Sequence, residues 1–259
     1  MAVAVVIPAF NEAATVAGIA ERALRHTQCV FVIDDGSEDD TAAQLRGLPV
    51  TLISNDTNLG KAASMARGFA AALAQSVDAV ITLDADGQHR PEDIPRLIAA
   101  AEIYPGDIII AARLQGRERM PRSRRFGNWQ ADFWIAWASG YPIRDTQCGF
   151  RLYPATLLQR LAVRDGRRDS FVFESEVLIE AARIGCYARA ISIDTIYGVS
   201  PRLSHYRAAS DTMRIIRMVA GNLARRGLYP LGLLRSLGLL AHPANACRQA
   251  AKQRPDALG

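Results

Sequence analysis

Two carboxylates and an amide follow a short uncharged run in this chain of 259 residues. Residues 80–83 are rich in β-branched side chains and predict a buried strand, and Asp84 and Asp86 come directly after it. Alternate side chains of an extended chain share a face, so both carboxylates are expected to point one way, with Gln88 continuing the line if the chain stays extended. Such oxygens suit a divalent cation held partly by a substrate's phosphates, although a solvated Asp-Gly turn explains the same residues.

Two more predicted strands end in polar side chains. Asn11 and Glu12 follow the run at 2–8, and Asp34 and Asp35 follow the run at 30–33. The carboxyl ends of parallel strands lie at one edge of a sheet, where open α/β sheets bind their ligands. Three acidic or polar strand ends in one crevice indicate a cationic or hydrogen-bonding ligand, and three unrelated solvated loops remain the alternative.

The elements that must position these residues alternate along the chain. Apolar runs of strand length are separated by segments in which apolar residues recur at helical spacing. This alternation predicts an α/β fold with a mostly parallel sheet. The predicted strands are 2–8, 30–33, 50–53, 77–83, 108–111 and 190–196, with a loop and short strand at 145–153. The main predicted helices are 58–74, 91–103, 126–139 and 171–184, after a first helix at 12–25.

The overall composition is that of a globular protein. Hydrophobic residues make up 49% and charged residues 22% of the chain, enough for one large domain or one domain with a small appendage. The net charge of +5 suits contact with phosphates, nucleic acid or an anionic membrane surface without choosing among them. The four cysteines form no CxxC pair, so neither zinc nor a disulfide framework is expected. The apolar N-terminus predicts a first strand and not a signal peptide, and no run is long enough for a membrane-spanning helix.

Six short motifs occur in order, and together they resemble one enzyme family. The resemblance is to family 2 glycosyltransferases of the GT-A fold, with the closest likeness to dolichol-phosphate mannosyltransferase-type enzymes, which transfer a sugar from a nucleotide donor to a polyprenyl phosphate. It covers about residues 3–200 and implies an α/β, Rossmann-like three-layer sandwich with a mostly parallel sheet. The motifs are VVIPAFNE (5–12), VIDDGSEDDT (32–41), NLGK (58–61), DADGQHRPED (84–93), AAR (111–113) and DTQCGFR (145–151).

The resemblance assigns the donor side of the site. Lys61 and Arg113 are expected to add positive charge at the phosphates of a nucleotide-diphosphate sugar. Asp84 is expected to face the ribose or the metal, and Asp86, helped by Gln88, to bind Mg²⁺ or Mn²⁺. The positions that match the family's nucleoside-binding residues are Pro8, Asn11, Glu12, Asp34 and Asp35.

Asp145 matches the family's catalytic aspartate. The resemblance implies an inverting, hexosyltransferase-type reaction, in which this carboxylate takes the acceptor's proton or orients the acceptor and stabilises an oxocarbenium-like transition state. A helix cap, or a salt bridge to Arg144 or Arg151, is the alternative. Residues 113–125 are expected to form a loop over an anion, and the candidate residues for an acceptor phosphate are Arg125, Arg202 and His205.

The C-terminal region is more basic than the rest of the chain and contains an apolar segment. Residues 202–254 contain ten basic residues and one acid, and residues 228–240 are apolar. Two interpretations stay open: a surface that lies on anionic lipid, or an ordinary helix pair packed on the sheet. We expect a catalytic domain at 1–200, an amphipathic helical extension at 201–242 and a partly disordered tail at 243–259. The expected location is cytoplasmic, at the inner face of a membrane.

Three other functions compete with this interpretation. A sugar-phosphate nucleotidyltransferase shares the α/β core and the acidic metal site, but carries a glycine-rich, basic N-terminal loop where this chain has IPAFNE. A non-catalytic nucleotide-sugar-binding module is the second. Nucleic-acid binding is not expected, because the arginines lack interleaved aromatic residues and an acidic crevice repels phosphate unless a metal is bound.

Overall fold

A computed structural model describes residues 1–113, 122–161, 170–193 and 208–241. Arg202, His205, the tail at 243–259 and most of the predicted loop at 113–125 lie outside the described residues.

Seven strands in the described part of the chain form one sheet, in the order β3-β2-β1-β4-β6-β5-β7. Neighbouring strands are parallel except where β6 lies antiparallel between β4 and β5. The mostly parallel sheet is therefore confirmed, with one strand, β6, whose reversed direction the sequence pattern did not reveal. The strands are β1 (Val3–Ala9), β2 (Val30–Asp34), β3 (Thr51–Ser54), β4 (Ala79–Thr82), β5 (Ile108–Ala112), β6 (Arg151–Pro154) and β7 (Ala188–Ser192).

The helices follow the strands as the alternating pattern predicts. Short 3₁₀ turns at Ala43–Leu45 and Pro91–Asp93 complete the connections. The helices in the described residues are α1 (Val16–Leu24), α2 (Lys61–Leu73), α3 (Ile94–Ile103), α4 (Arg122–Ser139), α5 (Ala155–Arg160), α6 (Ser170–Arg183), α7 (Ala208–Ala224) and α8 (Pro230–Ser236).

The central strands are buried on both faces. Every residue of β2, β4 and β5 is buried, instead of every second residue as in a sheet with one wet face. Helix α2 packs so closely on β1 that a Cβ at Gly68 would lie 2.3 Å from a methyl of Val6. Helix α2 contacts α5 and α6, whereas α1 and α3 contact the Pro91–Asp93 turn, so two helical layers enclose the sheet. The expected three-layer α/β sandwich is confirmed.

The two C-terminal helices pack mainly on other helices, since both contact α4 and α7 also contacts α6. Trp137 of α4 donates its indole N–H to the carbonyl of Tyr229 at 3.2 Å. Arg226 donates to the carbonyl of Ala138 at 2.9 Å, and its guanidinium stacks on the ring of Tyr229. The expected pair of packed helices is thus present, and α4 is the element to which these bonds attach it. Within the described ranges, no helix has the length and apolarity to cross a bilayer.

Helix α4 begins earlier than the sequence pattern indicated. It starts at Arg122, so the expectation of a loop through residue 125 is wrong for the last four residues. Arginine is a good helix former, and a cluster of positive charge is therefore not a loop signal by itself. Trp129 of this helix is 61% exposed and therefore does not belong to the core.

Candidate active site

Three polar strand ends lie side by side at one edge of the sheet. Strand β1 runs between β2 and β4 and is parallel to both, so their carboxyl ends coincide, as the sequence predicted. Thr15, in the loop after β1, donates its hydroxyl to the carbonyl of Ala85 at 2.6 Å. Pro8 lies half-buried at this end of β1 beside Ile33 of β2. The loops after β1 and β4 are thereby tied into one rim.

The first two loops are held together by their own polar groups. The amide oxygen of Asn11 accepts from the Glu38 N–H at 2.8 Å, and the Asn11 N–H donates to the Ser37 hydroxyl at 2.9 Å. Asp34 is buried and accepts from the Ser37 N–H at 3.1 Å. The Glu12 N–H joins the same loop by donating to the Thr41 hydroxyl at 2.8 Å. The predicted nucleoside-binding residues are brought together, and their contact with a nucleoside stays a prediction.

Asp35 organises the segment that leads into α2. Its carboxylate accepts from the side chain of Asn55 at 2.7 Å and from the N–H groups of Leu59 and Gly60 at 3.0 and 2.8 Å. The residue is buried, and these hydrogen bonds fix the backbone just before the first turn of α2. The structure thus gives Asp35 a positioning role, in addition to the nucleoside contact predicted for it.

Lys61 joins two carboxylates from distant elements. Its ammonium lies 2.5 Å from Asp84 after β4 and 2.9 Å from Glu174 of α6. Burial opposes a charge on Lys61, but the two carboxylates outweigh it and hold the pKa of the ammonium above its usual value. Burial also opposes ionisation of Asp84, yet Lys61 keeps the pKa of this carboxyl below its usual value. Both groups are therefore charged near neutral pH.

Asp84 lies against the backbone of Gly149. A Cβ at this glycine would lie 2.3 Å from an Asp84 carboxylate oxygen, far inside van der Waals contact. The backbone N–H of Cys148 in turn donates to the carbonyl of Asp145 at 3.0 Å. The DADGQ and DTQCGFR motifs, which are far apart in the sequence, therefore meet in one crevice.

Asp86 is a carboxylate at the same rim whose charged form is disfavoured. Among the described residues it forms no ion pair, and burial together with the Asp84 carboxylate raises its pKa. The chain turns here and does not stay extended, because Gly87 has φ +76° and the Gln88 N–H donates back to Asp86 at 2.9 Å. Gln88 therefore does not continue a straight polar line, because the condition that the chain stays extended is not met.

The carboxylates at this rim fit only part of a metal site. Within the described ranges, no group of three or more His, Cys, Asp or Glu side chains is arranged to hold a metal ion. Mg²⁺ commonly takes one or two protein carboxylates and completes its shell with substrate phosphates and water. Asp86, whose charge lacks a cation in the described structure, fits this open kind of site.

Asp145 is buried in a bidentate ion pair with Arg113. Its carboxylate accepts from Nε and a terminal nitrogen of Arg113 at 3.1 and 2.8 Å, and from the Arg113 backbone N–H at 2.7 Å. The salt bridge considered with Arg144 or Arg151 thus forms with Arg113. Asp145 has φ 54°, a conformation that costs a non-glycine residue about 1–2 kcal/mol. Contact between Arg113 and donor phosphates stays a prediction.

Four polar residues at this site were not predicted as site residues. Asp132 of α4 accepts from the N–H groups of Asp145 and Thr146. Arg151 is fully buried and donates to the carbonyls of Cys148, Thr146 and Glu174, which fixes the loop before β6. His89 is buried beside Cys148, and burial followed by the charge of Arg113 lowers its pKa to about 4. The missed residues are Asp132, Arg151, His89 and Glu174; Arg151 and His89 lie inside quoted motifs, which was the available signal.

The proposed acceptor residues are described only in part. Arg125 lies on the first turn of α4 and is exposed, next to exposed Phe126 and Trp129, whose rings are stacked 6.0 Å apart. The stack continues to Phe133, 6.1 Å further on. This face of α4 offers an aromatic and cationic surface.

Solved structures with a similar fold support the assignment of the architecture. Glucosyl-3-phosphoglycerate synthase from Mycobacterium tuberculosis in complex with UDP superimposes with a TM-score of 0.65 at 18% identity, covering 86% of this chain and 80% of that one. The same enzyme in complex with Mn²⁺, UDP and glucosyl-3-phosphoglycerate gives a TM-score of 0.61, with coverage of 86% and 80%. At this identity the likeness establishes the GT-A-like α/β fold.

Relatives and a family model identify the class of protein. The chain is 26% identical to UDP-N-acetylglucosamine--dolichyl-phosphate N-acetylglucosaminyltransferase of Methanococcus voltae, over 74% of this chain and 84% of that one. It is 28% identical to undecaprenyl-phosphate mannosyltransferase of Micrococcus luteus, over 71% and 79%. Residues 4–161 match the model named Glycosyl transferase family 2. The chain therefore belongs to glycosyl transferase family 2 and is a glycosyltransferase, in agreement with the resemblance of its six motifs.

Proposed function

We propose that this protein transfers a sugar, with inversion, from a nucleotide-diphosphate sugar to a polyprenyl phosphate or another lipid-linked acceptor. The observation that carries the proposal is the contact between Asp84 and Gly149. It joins the strand end predicted to hold the donor to the loop that carries Asp145. Relatives that act on dolichyl and undecaprenyl phosphates support the acceptor class.

The proposed reaction needs little acid–base chemistry from the protein. An oxygen of the acceptor phosphate attacks the anomeric carbon from the face opposite the nucleotide, and the bond from that carbon to the diphosphate breaks. A phosphate monoester has a second pKa of about 6, so its oxygen is already largely ionised at neutral pH. Asp145, fixed by Arg113, orients the acceptor and stabilises the positive charge that develops on the sugar.

A divalent cation fits the donor side. Asp86 and Gln88 would hold Mg²⁺ or Mn²⁺ together with the donor, and the bound ion supplies charge neutralisation of the diphosphate as a leaving group. Lys61 is placed beside Asp84 at this rim and adds a further positive charge. The neighbouring fold in Mycobacterium tuberculosis has been solved with Mg²⁺ and with Mn²⁺ beside UDP, which supports metal use.

The acceptor side extends the proposal to the membrane. Arg125 and, outside the described residues, Arg202 and His205 are the proposed phosphate contacts. In this arrangement residues 1–200 form the catalytic domain and residues 201–242 an extension that touches the cytoplasmic face of a membrane. The chain then meets its lipid substrate from the surface, without being embedded.

The proposal is tested by donor binding and transfer. A thermal-shift panel of UDP-, GDP- and other nucleotide sugars, with and without metal, is followed by transfer to a polyprenyl phosphate. We expect Asp86→Ala to abolish metal-dependent transfer and Asp145→Asn to keep donor binding while turnover falls about 100-fold or more. Asp78→Asn, at an exposed residue that bonds the Ala2 N–H, is the matched control and should keep full activity. Full activity of Asp86→Ala, or no transfer with any donor, contradicts the proposal.

A further inference from the structure

Helix α4 contributes a carboxylate that supports the backbone of the Asp145 loop. Oδ2 of Asp132 accepts from the Asp145 N–H at 3.1 Å. Oδ1 accepts from both the backbone N–H and the hydroxyl of Thr146, each at 2.8 Å. One side chain thus receives two consecutive backbone donors at the position where Asp145 adopts its positive φ.

We propose that Asp132 is a positioning residue for sugar transfer, which holds the Asp145 backbone so that its carboxylate stays paired with Arg113 in the crevice. This inference rests on the catalytic role proposed above for Asp145. The side chain of Asp145 is fixed from β5 through Arg113, and its backbone is fixed from α4 through Asp132. The carboxylate is therefore held from two elements that are separate in the sequence.

The backbone conformation of Asp145 explains why Asp132 has to accept hydrogen bonds from the loop. The left-handed conformation costs a residue other than glycine about 1–2 kcal/mol. Asp145 would therefore favour a different backbone conformation unless native contacts stabilise this one. Three hydrogen bonds to one ionisable side chain supply such contacts. Loss of the bond to Asp145 lets the loop relax, and a displacement of about 1 Å can cost about 100-fold in rate.

Substitution of Asp132 by Asn separates positioning from simple folding. The Asn oxygen can keep the bonds from Thr146, but its amide group then faces the Asp145 N–H, donor against donor. We expect kcat to fall at least about 10-fold while the donor KM changes less than about 3-fold, because the donor rim is untouched. Thr146→Val, which removes the hydroxyl bond to Asp132 but leaves both backbone bonds, should lower kcat less than Asp132→Asn does.

Asp107 provides a control for the general effect of replacing an aspartate that accepts a backbone hydrogen bond. It is a partly buried aspartate that likewise accepts from a backbone N–H, that of Tyr187 at 2.9 Å, and pairs with Arg189. Asp107→Asn should lower the melting temperature, as Asp132→Asn does, but leave kcat unchanged. An equal loss of kcat in both variants would assign Asp132 a structural role only and overturn the inference.

A double-mutant cycle gives the decisive readout. In an Asp145→Asn background, Asp132→Asn should reduce the residual rate by less than about 2-fold, because the group that it positions is already gone. A full additive loss, or an unchanged kcat in the single variant, overturns the inference. If Asp132→Asn does not fold, Asp132→Glu, which retains the carboxylate, is measured in the same cycle. Failure of the proposed function itself appears separately, as absence of transfer by the wild-type protein.

Discussion

At the scale of single residues, the site depends on charge pairs and on one missing side chain. Asp84 can lie in the crevice because position 149 carries no Cβ, and the ammonium of Lys61 then pairs with both Asp84 and Glu174. The close approach of Asp84, which belongs to another motif, thereby explains why the DTQCGFR motif has a glycine at position 149. Its backbone φ is not in the left-handed region, so the requirement is one of space alone.

Gly149→Ala should therefore damage the donor side of the site. The new methyl would meet Asp84 at 2.3 Å, so the carboxylate or the loop has to move. We expect kcat/KM for the donor to fall at least about 10-fold, with a loss of about 1–3 kcal/mol in the free energy of unfolding from overpacking. Steady-state kinetics and urea denaturation measure the two effects. Gly127→Ala, where a Cβ meets nothing within 4 Å, is the control, and equal effects at both positions would contradict the explanation.

At the scale of elements, a tight crossing holds the loop after β2 against the segment before α2. Gly36 has φ +71°, and a Cβ there would lie 2.5 Å from the backbone carbon of Thr57. Asp35 holds the segment before α2 against this loop by accepting hydrogen bonds from the N–H groups of Leu59 and Gly60. The turn after β2 therefore determines where α2, and with it Lys61, begins.

Gly36→Ala is expected to be more destabilising than a comparable change at a free turn. Both Gly36 and Gly47 have positive φ, so alanine costs about 1–2 kcal/mol at either position. Only Gly36 adds a clash with neighbouring backbone, which should bring a further loss of about 1–3 kcal/mol in the free energy of unfolding. Urea denaturation of Gly36→Ala and Gly47→Ala measures the difference, and equal losses would show that the crossing is loose.

Elements were easier to predict from the sequence than the contacts between them. β5 and the first four residues of β2 are continuous apolar runs, as expected for strands that are buried on both faces. The antiparallel direction of β6 has no such signal, since direction depends on tertiary pairing. Asp132 and Glu174 were missed because they lie on helices outside the motifs and reach the site only through packing.

At the scale of the whole molecule, the C-terminal helices present an apolar and basic surface. Leu231 and Leu234 of α8 and the following Leu237 are spaced three apart, so they share one face, and they are 53%, 38% and 54% exposed. Residues 208–241, which span both helices, contain five arginines and one acid, Asp211. A bilayer with anionic headgroups complements both features, whereas a neutral protein surface matches only the first.

The proposed membrane contact predicts selective loss of vesicle binding when these leucines become polar. The triple variant Leu231→Ser, Leu234→Ser, Leu237→Ser should bind vesicles of phosphatidylglycerol and phosphatidylcholine at least about 10-fold more weakly, because a buried leucine contributes about 1.5–3 kcal/mol. Wild-type binding should weaken with salt and be weaker on pure phosphatidylcholine, since the arginines act electrostatically. Vesicle co-sedimentation without any acceptor measures the effect, and Leu52→Ser, at an exposed leucine of β3, is the control. The wild-type protein could instead bind neither kind of vesicle and form dimers, with the triple variant staying monomeric. That outcome would assign this face to contact with a second copy of the chain.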